Sequence, residues 1–409
     1  MALVNEHLLK LPDDYFSPVM ERKINLFKAV HPKADLICLE KEDVCLPVPE
    51  SVAGAMVRAV EELADASSFR GYGPKQGYDF LIESIVKHEF QERGVVLEKS
   101  EIFITEGTQS NIGNIGNLLR HDNSIGIASL AYPVYAAASI MCGRAGELQS
   151  DGRWNNVIYI SCPQDKGFIP QVPDTRIDIV YLSHPHVPTG STLNRTELKK
   201  WVNYAIKNDA LIMFDATYET YIQHPDIPHS IYEIKGAKKV AIEYRTFSRT
   251  AGFSGVRCGY VVIPQELTAT TLAGNRISLN HLWRQHQYIK YNGTSYIAQR
   301  GAEAALSPEG KKEIKAHIQY YMENARLLRE GLSAAGLQVT GGVNAPFVWI
   351  RVPDGMDDWQ FFHRLLYEAQ VVVEPGSRFG PEGRSFVRIC SFNERERCRE
   401  AVRRIQQCV

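Results

Sequence analysis

The stretch Leu211-Ile212-Met213-Phe214-Asp215-Ala216-Thr217-Tyr218 decides how this chain of 409 residues folds. Its first four residues form a short, wholly apolar run, the pattern of a strand covered on both faces in a parallel sheet. The run stops on a carboxylate, and a phenol follows at Tyr218. Polar groups at the carboxyl edge of a parallel sheet stand where open α/β sheets bind ligands. Read alone, Asp215 is equally an acid that caps the next turn.

Outward from this stretch, further short apolar runs occur at Ile102–Thr105, Ile177–Leu182 and Val240–Tyr244. Asn194 and Glu197 form a capping pair ahead of Leu198, Trp201, Val202, Ala205 and Ile206, whose spacing is one face of a helix. Strands alternating with helices predict an α/β fold with a mostly parallel sheet. A long helix is predicted from about Gly310 to Leu332, linking this unit to a second one. There Phe347–Val352, a helical stretch Trp359–Ala369, Val371–Glu374, Phe386–Ser391 and a helix ending near Gln407 make a smaller α/β domain. The expected division is 1–50 for an N-terminal arm with part of the small domain, 51–295 for the large domain and 296–409 for the small C-terminal domain. No internal repeat is visible, which excludes solenoids.

Lys plus Arg at 46 nearly balances Asp plus Glu at 47, so no overall field points to nucleic acid or an anionic membrane. Hydrophobic residues at 44% and charged residues at 23% match ordinary globular chains, leaving small molecules or proteins as partners. No apolar run reaches the ~18 residues of a membrane span. The opening MALVNEHLLKLPDD carries acids early and fits neither a secretory leader nor a transit peptide. The eight cysteines show no CxxC or Cys/His metal spacing, so reduced thiols in a cytoplasm and no metal site are expected.

Several segments carry candidate chemistry. Gly107 and Thr108 follow the run Ile102–Thr105 and open toward a helix, a seat for phosphate that is also an ordinary helix cap. Ser248, Arg249 and Arg257 add hydroxyl and charge for the same anion, or form a surface turn. His184 and His186, in His184-Pro-His-Val-Pro-Thr-Gly190, offer acid/base groups or packed imidazoles. Arg388 offers a fork for a carboxylate, or is a solvated strand arginine.

Together and in this order, these pieces resemble the class I/II aminotransferases of fold type I, which depend on pyridoxal phosphate, and within them the LL-diaminopimelate aminotransferases. The likeness spans nearly the whole chain. It is strongest in Phe69-Arg-Gly-Tyr72-Gly-Pro-Lys-Gln-Gly-Tyr78, Tyr132-Pro-Val-Tyr135, Phe214-Asp-Ala-Thr-Tyr218, Thr250-Ala-Gly-Phe253, Val256-Arg-Cys-Gly-Tyr260 and Gly341-Gly-Val-Asn-Ala-Pro346. The resemblance implies a homodimer in which Asp215 pairs with the pyridine nitrogen, Tyr218 bonds the ring hydroxyl and Tyr132 stacks on the ring. By the same resemblance Thr108, Gln109, Thr246, Ser248 and Arg257 cup the phosphate, and Tyr72 reaches over from the partner. Arg388, Asn344 and Tyr135 are then substrate contacts.

The departures are as informative. Where the family has Ser-Phe-Ser-Lys, this chain has Thr246-Phe-Ser-Arg249. The lysine links the cofactor through a neutral amine and then carries a proton. A guanidinium with a pKa above ~12 does neither. The family's Asn-Pro-Thr-Gly reads Val187-Pro-Thr-Gly, Gly-Ile-Gly-Asp reads Glu40-Lys41-Glu42-Asp43, Gly-Ser-Lys-Cys-Asp reads Gly107-Thr-Gln-Ser-Asn111, and the Asp-Pro before the stacking tyrosine reads Ser129-Leu130. The expectation is an enzyme with a remodelled site, acting on an amino acid or carbonyl substrate. Pyridoxal or pyridoxamine phosphate is held non-covalently or no cofactor is used, Arg249 sits at the centre, and His184 or His186 is the replacement base. A non-catalytic scaffold and a conventional aminotransferase are the alternatives.

Overall fold

The computed structural model describes residues 2–11 and 18–409, so Met1 and residues 12–17 of the expected N-terminal arm lie outside the described residues. Seven strands form the main sheet: β1 (Ile102–Thr105), β2 (Ile125–Ala128), β3 (Val157–Ile160), β4 (Ile179–Ser183), β5 (Leu211–Asp215), β6 (Ala241–Thr246) and β7 (Gly259–Val262). Their order is β1-β7-β6-β5-β4-β2-β3. β7 runs antiparallel to both its neighbours and the remaining pairs are parallel. The carboxyl ends of β1, β4, β5 and β6 therefore open on one edge, and the segments that follow them build one cleft.

β5 is buried at all five positions, as its apolar run requires. β2, β3 and β7 were not legible as strands. Gly126 weakens the β signature of β2. Packing requires it, because a Cβ there would lie 2.7 Å from Cδ1 of Ile177. The helix Arg195–Asn208 begins on the reciprocal cap of Asn194 and Glu197. Leu198, Trp201, Val202 and Ala205 face the core, whereas Ile206 is 49% exposed and does not belong to that face.

The long helix Pro308–Ala334 starts on Ser307, whose hydroxyl accepts the Gly310 N–H at 3.1 Å. Its residues up to Met322 pack into the large core with Ala298 and Ala302, while Leu328 and Leu332 join a separate apolar cluster. One helix thus belongs to both cores. The smaller unit carries the sheet order Val339–Gly341, Phe347–Arg351, Phe386–Cys390, Glu374–Pro375. Met20, Ile24, Phe27, Ile37 and Leu39 pack into the same cluster. Ile37–Cys38 pairs in parallel with Val371–Val372, and this anchors the segment that carries residues 40–43 to the cleft.

Candidate active site

A cleft of about 420 Å³ lies at the carboxyl edge of the sheet. Asp215, the last residue of β5, forms its floor and is almost fully buried. The Tyr135 hydroxyl donates to its Oδ2 at 2.7 Å and the Thr217 N–H to its Oδ1 at 3.0 Å. Burial raises the Asp215 pKa against these two hydrogen bonds. No cation pairs with this carboxylate among the described residues. A ligand that brings a cationic donor would stabilise the charged form of this carboxylate, which otherwise tends toward its protonated form.

One side of the cleft gathers a guanidinium, hydroxyls and a helix N-terminus. Gly107, at φ +142°, precedes the helix Thr108–Ile115, and a Cβ there would stand 2.7 Å from Nη2 of Arg257. Arg257 itself is held in the left-handed region at φ 66°, a strained conformation of the kind that clusters at functional sites. Its Nη1 donates to Ser248 Oγ at 3.1 Å and to the Ser254 carbonyl at 3.0 Å, both neutral. The Thr246 hydroxyl donates to Ser248 Oγ at 3.0 Å, and the Thr217 hydroxyl to Thr108 Oγ1 at 3.1 Å. The result is a guanidinium without a carboxylate partner among the described residues, set beside hydroxyls and a helix N-terminus. Tyr132 and Gln109 close the wall, their polar tips 3.5 Å apart.

The opposite side is crowded with ion pairs. The Tyr218 hydroxyl donates to Glu42 Oε2 at 2.9 Å. Arg249 stands 3.8 Å from the same oxygen and 3.9 Å from Asp43 Oδ1, with its guanidinium 5.9 Å from the Tyr218 ring centroid. Burial works against the Arg249 cation, but the phenols of Tyr218 and Tyr221 and the Asp43 carboxylate outweigh it and raise its pKa. The guanidinium stays protonated and cannot accept a proton. Behind it Arg388 donates to Glu42 and to Glu374, and its guanidinium lies 4.7 Å from the Phe379 ring centroid.

A sequence model described as "Aminotransferase class I and II" matches residues 34–405. The chain belongs to this family. It is 57% identical to LL-diaminopimelate aminotransferase of Phocaeicola vulgatus over 100% of this chain and 99% of that one. It is also 57% identical to the enzyme of the same name from Bacteroides fragilis, over 99% of each. Among solved structures, L,L-diaminopimelate aminotransferase from Chlamydomonas reinhardtii superimposes with a TM-score of 0.92 at 36% identity, covering 99% of this chain and 98% of that one. A Thermus thermophilus aspartate aminotransferase double mutant shares the fold, with a TM-score of 0.83 at 20% identity over the whole of both chains. The α/β architecture with its mostly parallel seven-stranded sheet is that of fold type I.

The family implies pyridoxal phosphate, and most of the cleft fits it. Asp215 could pair with a protonated ring nitrogen, and Arg257 with Ser248, Thr246 and Thr108 could hold a phosphate. At position 249 the cleft is lined by an arginine.

Other expected site residues lie elsewhere. His184 and His186 do not line the cleft, which correlates with where their rings point: His184 Nε2 is 2.9 Å from the Pro228 carbonyl and its ring lies against Phe214, while His186 Nδ1 is 2.8 Å from Thr189 Oγ1. Burial pushes both imidazoles down to about 4, so they are neutral packing groups, and the expected replacement base is not found in either. Asn344 accepts the N–H groups of Gln223 and His224 at 3.0 and 3.1 Å and braces a loop outside the cleft. Tyr135 is buried beneath Asp215 and supports it, with no face toward a substrate. Arg388 is 2% exposed and its fork is taken by carboxylates of the chain itself. Tyr72 is 89% exposed and reaches no part of the cleft of its own chain.

Glu374, Thr217 and Lys41 escaped the sequence reading. Glu374 had a signal: a carboxylate inside Val371-Val-Val-Glu-Pro375 is a charge in an apolar strand and requires a cation nearby. Among the described residues no helix is long and apolar enough to cross a membrane.

Proposed function

We propose that this family member is an aminotransferase-like enzyme with a remodelled active site, which holds pyridoxal or pyridoxamine phosphate non-covalently and acts on an amino or carbonyl substrate. The observation that carries the reading is a pair of complementary charges in one cleft that have no oppositely charged partner among the described residues, Asp215 without a cation and Arg257 without an anion. A pyridine ring bearing a phosphate answers both. Bound there, the cofactor supplies an electron sink for the substrate carbon.

The chain's own residues do the rest. Tyr135 and Thr217 fix the Asp215 carboxylate so that it faces the ring nitrogen. Tyr132 and Val187 enclose the ring from the sides. Tyr218 donates its hydroxyl to Glu42 with the Arg249 guanidinium near its ring, so it is the group placed to hold a proton at a reacting oxygen or nitrogen. Arg249 provides fixed positive charge in place of an amine. The exposed Tyr72 supports a homodimer in which it covers the partner's cleft, and the eight free thiols support a reducing, cytoplasmic setting.

The purified protein is incubated with pyridoxal phosphate or pyridoxamine phosphate, desalted, and its near-ultraviolet absorbance recorded. Retained, perturbed absorbance is the expected result. Release of both cofactors on desalting refutes the reading. In Arg249→Lys, absorbance typical of a covalently held cofactor is expected to appear, because the rest of the cup is present.

A further inference from the structure

We infer that Glu42 is a built-in occupant of the cleft's carboxylate seat, and that the cleft therefore takes an amine, aldehyde or ketone with no carboxylate beside the reacting carbon. This rests on the reading of the cleft as a site for amino or carbonyl substrates and narrows its substrate class.

Arg388 lies behind Glu42, outside the lining of the cleft, and both terminal nitrogens of its fork are taken. Its Nη1 is bound by Glu42 and its Nη2 by Glu374, while Nε is buried without a partner. Glu42 spends both oxygens as an incoming carboxylate would, one on Arg388 and the other on the Tyr218 hydroxyl with Arg249 beside it. The segment that delivers Glu42 is fixed by backbone bonds on both sides. Leu39 donates to the Val372 carbonyl at 2.9 Å and Cys390 donates to the Leu39 carbonyl at 2.7 Å. A tethered carboxylate competes at a high effective concentration, which a free ligand has to exceed.

Charge around the seat points the same way. Glu42, Asp43 and Asp215 all line the cleft. A carboxylate brought between them meets like charge, whereas an ammonium is attracted, and repulsion of this kind is how a site rejects a near-identical ligand. Of the cations that line the cleft, Arg249 stands beside Glu42 and Asp43, Arg257 belongs to the anion seat with Ser248, and Lys41 is exposed, where an ion pair gains little over water.

The test uses 1,5-diaminopentane and L-lysine, which differ only in the carboxylate. Each is titrated calorimetrically into the full-length protein as purified, so the result is read whether or not a cofactor is retained on desalting. The diamine is expected to bind at least about tenfold more tightly, the ratio set by one lost charge interaction. Equal affinity, tighter binding of lysine, or no binding of the diamine overturns the inference. In Glu42→Gln the gap is expected to close, and an unchanged gap in a folded variant overturns the role of Glu42. Should that variant not fold, glutarate titrated into the unsubstituted protein decides: binding as tight as that of the diamine overturns the inference, and absence of binding upholds it.

Discussion

Two arginines, Arg257 in the lining of the cleft and Arg388 behind its Glu42, have the same side chain and opposite situations. Arg257 is exposed and its partners are a serine hydroxyl and a carbonyl, so its charge is available to a ligand. Arg388 is 2% exposed, flanked by Phe347 and Phe379, and paired with two glutamates of its own chain. A guanidinium recognises an anion only while none is supplied from within. Once buried against carboxylates it becomes part of the scaffold, and removing either partner leaves an uncompensated charge. One end of the cleft receives, the other is already filled.

The largest effect that can break this contrast is at the filled end. Arg388→Ala is expected to lower the free energy of unfolding by about 3–5 kcal/mol in urea titration, since Glu42 and Glu374 then crowd together without their shared cation. A loss below about 1 kcal/mol would place Arg388 among solvated arginines and remove the distinction.

Next comes the wall behind both ends, where acid acts on His184 and His186. Their pKa falls from 6.5 in the free side chain to about 4 in the fold, so the unfolded chain takes up protons first. Stability is therefore complete above pH 6.5 and declines between 6.5 and 4, by up to about 3 kcal/mol for each imidazole. Melting temperature followed across that range checks it. Glu374, raised to about 7 by burial, acts with the opposite sign over this range, so the decisive reading is the difference from a His186→Gln variant, and no difference would show that this ring is hydrated, as a group facing the cleft would be.

At the receiving end, Arg257→Ala is expected to leave stability within about 1 kcal/mol of the parent while weakening pyridoxamine phosphate binding by roughly ten- to hundredfold, the worth of a charge-assisted bond. Equilibrium dialysis measures it. The smallest effect sharpens the assignment of Tyr132: its hydroxyl lies 3.5 Å from Gln109, too long for a strong bond, so Tyr132→Phe should shift stability by less than about 0.5 kcal/mol.

Much of the fold was legible because its signals are local. The run Leu211–Phe214 ending on Asp215, the cap of Asn194 and Glu197, and the spacing of Ile314, Ile318 and Tyr321 each reflect neighbours within a turn or a strand. The strands Ile125–Ala128, Val157–Ile160 and Gly259–Val262 were not read, since glycine in two of them serves packing against distant elements instead of strand propensity. At the site, the floor and the anion seat follow strand ends and were found by that rule.

What the sequence by itself determined is the alternation of strands and helices around Leu211–Asp215, the family pattern, and the residue types offered to the cleft, Arg249 among them. Which groups meet was decided by the tertiary structure alone. Glu42 and Arg388 stand 346 residues apart in the chain, and nothing local to either predicts the pair. His184 and His186 sit in the very segment that borders the cleft, yet their rings turn inward to Pro228 and Thr189. A side chain's charge and shape are fixed by its own residue. Its burial and partners depend on how distant strands pack, and these set whether it binds, supports or merely fills space.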